Sequence, residues 1–279
     1  MASILALLSS VLWGTADFLG GNLAKRFKAI AVTGASQAFG LLLGLILVFA
    51  SGSYIAPNLS WNGYFLPAVG AGIAGFFGLV SFYSGLSTGR MGVVSPISTL
   101  SAVIPLSFAF ISGERPTPIQ IAGMAIAIIG AFCASGPDIA KGLPVKPLLF
   151  GLGAALGFGI ALALMAQGSK TSSLLTMTSM RVASVSFCIF LAIRFKSVGG
   201  FKVSDLRILF IIGATDFVAN LLLGVATTKG LISVAMVFGS LFPIVTALLA
   251  FKFLHERLHK VQYLGIILAV SGVSLISIG

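Results

Sequence analysis

Run after run of about 20 apolar residues, broken only by short polar joints, fills the chain, and that is the length a helix needs to cross the hydrocarbon core of a bilayer. The runs are continuous and do not alternate with polar residues, which excludes a transmembrane β-barrel. In lipid, each backbone amide and carbonyl must then be satisfied inside its own helix. Only 8% of the residues are charged, against about a quarter in a soluble domain, so a chain of this size could not hide its apolar surface from water. The length criterion predicts helices near 2–24, 29–51, 62–88, 91–112, 118–136, 146–168, 172–194, 206–228, 230–253 and 259–278. The joints carry helix breakers, among them Gly52-Ser53, Gly89-Arg90, Gly113-Glu114-Arg115-Pro116 and Gly199-Gly200. The expected fold class is an all-α membrane protein with ten transmembrane helices. The apolar N-terminus lacks the basic leader of a secretory signal and reads as a first span.

A second pattern divides those helices in two. Glu114-Arg115, Gln120, Gly123, Ala127 and Gly130 recur 142 residues later, with the same spacing, as Glu256-Arg257, Gln262, Gly265, Ala269 and Gly272. More weakly, Trp13-Gly14 followed by Lys25 matches Phe158-Gly159 followed by Lys170. A polar loop with Pro137, Asp138, Lys141, Pro144 and Lys146 separates the copies. Two five-helix repeats are therefore expected, residues 1–140 and 141–279. Because five is odd, the second must lie upside down relative to the first. Inverted repeats in lipid are the architecture of secondary transporters, with the substrate held near the midplane between the halves.

The formal net charge of +11 would raise nucleic-acid binding in a soluble chain. Here thirteen Lys and Arg lie in joints after odd-numbered spans and three, Arg115, Lys170 and Lys229, in joints after even-numbered ones. That asymmetry places both termini outside the cytoplasm, makes anionic lipid the simpler partner, and argues against nucleic acid. Cys133 and Cys188 lie in apolar segments without metal or disulfide spacing. The 34 glycines suit close helix packing, which in lipid depends on small residues.

The repeated GERPTPIQIAGMAIAIIG and HERLHKVQYLGIILAVSG, with the early SSVLWGTADF, resemble the EamA family of the drug/metabolite transporter superfamily across the whole chain. The resemblance implies a ten-helix bacterial inner-membrane exporter of small metabolites, often amino acids, working by alternating access. In length and aromatic-rich helices the chain is similar to aromatic and neutral amino acid exporters of the YddG type. No enzyme activity and no cofactor are implied. The expected partners are a small-molecule substrate and the bilayer, and the expected working unit is a monomer. A multidrug or quaternary-cation exporter stands as the alternative.

Ionisable groups inside spans are costly and usually face a cavity or a partner. Asp17 in the first helix qualifies, as does Asp216 in the eighth, with Asn220 one turn later on the same face. Either acid could hold a substrate ammonium or a coupling proton. Arg181, the basic residue placed inside a span, could pair with Asp216 or meet a substrate carboxylate. Trp13 and Tyr83 are amphipathic aromatics beside small or polar neighbours. Ser95, Ser98, Thr99 and Ser101 surround Pro96 near Pro105, and prolines free carbonyls that a cavity could satisfy. The fourth and ninth helices, the latter with Pro243, are thus candidate cavity walls, and Gln167, Phe238 and Ser240 are further candidates. Glu114 and Glu256 are expected to cap the helix that follows each of them.

One enzyme-like pattern competes. His255-Glu256-Arg257-Leu258-His259 matches the H-E-x-x-H arrangement of zinc proteases. Glu256-Arg257, however, repeats Glu114-Arg115, where Gly113 and Thr117 hold the histidine positions. With two histidines in the chain and no clear third ligand, no metal is expected.

Overall fold

The computed structural model describes residues 1–88, 91–135, 145–195, 199–254 and 259–279. Among them no strand occurs. The helices are α1 (Ala2–Leu23), α2 (Ala29–Ser51), α3 (Phe65–Ser87), α4 (Met91–Thr99), α5 (Val103–Ile111), α6 (Pro118–Ala134), α7 (Val145–Phe195), α8 (Val203–Lys229), α9 (Ile232–Gly239), α10 (Phe242–Leu254) and α11 (Lys260–Ile278). The first three have 22, 23 and 23 residues, about 33–35 Å at 1.5 Å per residue, enough to span hydrocarbon. Their outer faces expose large apolar side chains such as Ile4, Phe49, Ile73 and Phe77. With no water-facing explanation for such surfaces, these helices meet lipid, and the chain is a multi-pass membrane protein.

Two expected spans are broken helices. Between α4 and α5 a single 3-10 turn, Leu100–Ala102, interrupts the α geometry. Pro105 lacks the amide that would bond the carbonyl of Ser101, so the ladder cannot continue through this point. Likewise α9 stops at Gly239 and α10 starts at Phe242, immediately before Pro243, which is tolerated in a first turn. A third difference concerns α7. The loop expected between residues 168 and 172 is a single non-helical residue, Ser172, at φ −162° and ψ 114°. Its hydroxyl accepts from the amide of Leu175 at 3.3 Å, an N-cap contact, and Gly168 lies against the Thr176 side chain. The 51 residues of α7 therefore double back as two antiparallel runs.

The repeated small residues find each other. Gly123 meets Gly272 and Ile276, and Gly130 meets Ala269 and Gly265, so α6 and α11 run antiparallel with backbones in contact. The repeated glutamines do the same job twice. Gln120 Oε1 accepts from the Thr117 amide at 3.0 Å, and Gln262 Oε1 accepts from the His259 amide at 2.9 Å. A Cβ on Gly130 would strike the backbone of α11, whereas one on Gly75 would meet Ala161 Cβ at an ordinary 3.5 Å. Gly130→Ala is therefore expected to lower stability by about 1–3 kcal/mol. Gly75→Ala should be neutral or gain up to about 1 kcal/mol from helix propensity. Thermal unfolding of the two variants in detergent checks the contrast.

Glu114 departs from its expected role. Thr117 caps α6, its hydroxyl accepting from the Gln120 amide at 3.2 Å. Gly113, at φ +98°, ends α5 in a left-handed turn: Glu114 N–H donates to Ala109 O at 3.0 Å and Gly113 N–H to Phe110 O at 3.1 Å. That turn swings the Glu114 carboxylate across to α9. There it accepts from the amides of Ile232 (2.6 Å) and Ser233 (3.0 Å) and from the Ser233 hydroxyl (2.8 Å). Arg115 turns back instead, donating to Phe110 O at 3.0 Å and Glu114 O at 2.9 Å. Glu256, Arg257, Asp138 and Lys141 lie outside the described residues.

Candidate functional site

Inside the bundle, seven elements converge on a cavity of about 70 Å³. Trp13 and Asp17 come from one face of α1, Gln37 from α2, and Gly75 and Leu79 from α3. Ser101 comes from the 3-10 turn, and Phe158, Ala161, Leu162 and Met165 from the first run of α7. The second run supplies Met180 and Arg181, α8 supplies Asp216 and Asn220, and Phe242 opens α10. Both broken helices thus reach the cavity at their breaks. Trp13 and Phe158, the aromatics paired by the sequence repeat, both line it.

Asp216 organises the polar side. Its Oδ2 accepts from Arg181 Nη2 at 2.7 Å and from Gln37 Nε2 at 3.3 Å. Its Oδ1 accepts from Trp13 Nε1 at 3.1 Å and Asn220 Nδ2 at 3.2 Å. An ionised carboxylate offers about four lone-pair sites, so Asp216 is saturated. Four helical segments supply the donors, which ties α1, α2, α8 and the second run of α7 together at one carboxylate. Ser184 fixes Gln37 in turn, its hydroxyl donating to Gln37 Oε1 at 2.9 Å. Arg181 is 4% exposed, and its Nε is buried beside Gly40 without a hydrogen-bond partner.

Asp17 differs. It is 7% exposed, lines the same cavity, and makes no hydrogen bond among the described residues. Asp216 is close enough for its charge to be felt there. Around both acids stand aromatic rings. Trp13 meets Phe242 edge to face with centroids 6.2 Å apart, and Phe82 packs behind Phe158 at 5.8 Å and Phe242 at 6.3 Å.

The structure brings Trp13, Asp17, Arg181, Asp216 and Asn220 together at the cavity, together with Ser101. It does not bring Tyr83, Ser95, Ser98, Thr99, Gln167, Phe238 or Ser240 to its lining. Tyr83 is buried with its hydroxyl against α1 at Gly20. The Ser98 hydroxyl donates to Ser95 O at 2.7 Å, Thr99 to Pro96 O at 2.6 Å and Ser240 to Val237 O at 2.7 Å. These hydroxyls serve carbonyls of their own helix breaks. Phe238 is fully buried in the apolar core and Ser95 is 7% exposed, while Gln167 is half-buried in α7. Gln37 and Phe242 escaped the sequence reading. The signal for Gln37 was present as an amide inside an apolar span, and Phe242 stands next to Pro243. No group of three His, Cys, Asp or Glu that could hold a metal occurs among the described residues, and His255 and Glu256 lie outside them.

Comparison with known proteins bears on the family and the fold. The EamA-like transporter family matches at residues 1–136 and 145–278. A solved crystal structure superposes over 99% of this chain and 96% of its own with a TM-score of 0.78 at 17% identity, a likeness of fold. A search of curated proteins found no significant match.

Proposed function

The chain belongs to the EamA-like transporter family of the drug/metabolite transporter superfamily, whose members are transporters and not enzymes, and on that footing we propose that it exports neutral or aromatic amino acids, or similar small metabolites. Ten spans in two inverted halves, residues 1–140 and 141–279, would rock about the cavity so that it opens alternately to each side. The doubling back of α7 at Ser172 and the antiparallel contact of α6 with α11 support that layout. The loop charges support periplasmic termini in a bacterial inner membrane.

One observation carries the substrate reading: a cavity lined from both family-matched segments joins acidic and basic groups to aromatic walls. Phosphorylated cargo would need several cations at depth, and among the described residues Arg181 is the one basic residue in the lining, already held by Asp216. A volume of about 70 Å³ is also well under the roughly 300–1,000 Å³ of pockets for drug-sized ligands, which favours small cargo in this conformation. Purified protein in proteoliposomes, offered labelled amino acids with and without a pH gradient, should show saturable uptake of at least one neutral or aromatic member. Absence of saturable flux for the whole panel would sink the reading.

A further inference from the structure

We propose that the cavity selects cargo by its ammonium group through Asp17 and leaves the carboxylate unread, so that primary amines lacking a carboxylate are ligands as good as amino acids. This rests on the transport reading above and concerns the same cavity.

The inference follows from how the three charges are used. Asp216 has its lone pairs filled by Arg181, Gln37, Trp13 and Asn220, so it has nothing left for a ligand. Arg181 gives its Nη2 to Asp216 at 2.7 Å and turns its Nε toward Gly40, so its charge is neutralised inside the protein. Asp17 remains as the acid with no hydrogen-bond partner among the described residues, and it faces the cavity. Among the described residues the lining holds two acids and one base, and the base is bound to one of the acids, so an entering ammonium is the charge that would hold Asp17 in its ionised form. A ligand carboxylate entering here meets two acids against one committed guanidinium, and Coulomb repulsion in a low-dielectric site disfavours it. An ammonium meets the opposite field. Trp13, Phe158 and Phe242 line the same space, and aromatic rings add to the attraction for a cation. The apolar side of Leu79, Leu162, Met165 and Met180 then accepts a hydrocarbon or aromatic body.

Three probes separate the two ends of the ligand: phenylalanine, phenylethylamine, which lacks the carboxylate, and N-acetylphenylalanine, which lacks the ammonium. Isothermal titration of the full-length protein in detergent should show phenylethylamine binding at least as tightly as phenylalanine, and N-acetylphenylalanine at least tenfold more weakly. In Asp17→Asn the tenfold preference for amine over N-acetyl compound should collapse to about one. If that variant does not fold, the preference in the parent protein still decides. The proposal is overturned if N-acetylphenylalanine binds as well as phenylalanine, if phenylethylamine binds tenfold worse than phenylalanine, if Asp17→Asn keeps the preference, or if no probe binds. The two readings fail separately. Amine binding that depends on Asp17, without flux in proteoliposomes, removes the transport reading alone. Saturable phenylalanine flux with the reversed preference removes this proposal alone.

Discussion

Arg181→Met should cost the folded protein about 3–5 kcal/mol, the usual penalty for leaving one member of a buried ion pair without its partner. The Arg181 side chain is 5% exposed and that of Asp216 17%, so water that reaches Oδ2 from the cavity replaces a hydrogen bond but not the guanidinium charge. Asp216 would keep its neutral donors from Trp13, Gln37 and Asn220 but lose the charge that balances it. Removing both partners, as Arg181→Met with Asp216→Leu, should recover part of the loss, because a buried pair exchanged for apolar groups is often neutral. Recovery will be incomplete. Trp13, Gln37 and Asn220 lose their shared acceptor, and unsatisfied buried donors cost about 1–3 kcal/mol. Fluorescence-monitored unfolding in detergent, run as a double-mutant cycle, measures the coupling. A single-variant loss under about 1 kcal/mol, the range of exposed pairs, would show that the pair is solvated and not the tie between four helical segments described above.

That pair was legible because charges inside apolar spans are few and expensive, so Arg181 and Asp216 had hardly any alternative to each other or to cargo. The prolines beside the helix breaks were read as freeing carbonyls, since Pro105 and Pro243 remove specific backbone donors, but the spans that hold them were expected to be continuous. What occupies the breaks was not legible either. Serine and threonine hydroxyls can turn outward to a cavity or back to a carbonyl three or four residues earlier, and Ser98, Thr99 and Ser240 all take the local option. Local spacing cannot distinguish these choices, because the outcome depends on which neighbouring helix closes the outward side. The continuity of α7 was hidden for a related reason. Ser172 reverses the chain with a single extended residue, with no proline at the turn and its glycine, Gly168, four residues earlier inside helical geometry. Glu114 was read as a cap, and it is one, but its target lies 118 residues away at Ile232. Motif spacing within a segment carries no information about a contact of that kind.

Glu114→Ala is expected to lose about 3 kcal/mol, because hydrogen bonds to a charged acceptor are worth about 1.5–3 kcal/mol each and do not simply add. The amides it serves belong to Ile232, 8% exposed, and Ser233, fully buried, so solvent offers little compensation. The carboxylate also sits at the positive end of the α9 dipole, a favourable position worth up to about 2 kcal/mol in a partly buried geometry. Glu114→Gln keeps one acceptor oxygen without the charge and should fall between the parent and alanine. Arg115→Ala, by contrast, removes a side chain that bonds only the end of the preceding helix, α5, and its own joint, and should stay within about 0.5 kcal/mol. The consequence for transport follows from where α9 leads. It runs through the break at Ser240 into α10, whose first residue, Phe242, is a wall of the cavity. A helix released at its start holds that wall less firmly, so uptake at subsaturating substrate should drop about tenfold, the equivalent of 1.4 kcal/mol in binding. Unfolding midpoints and proteoliposome uptake of the three variants test both parts. Equal losses for Arg115→Ala and Glu114→Ala would mean that the motif acts as one local turn, and that the contact between the two family-matched segments is incidental.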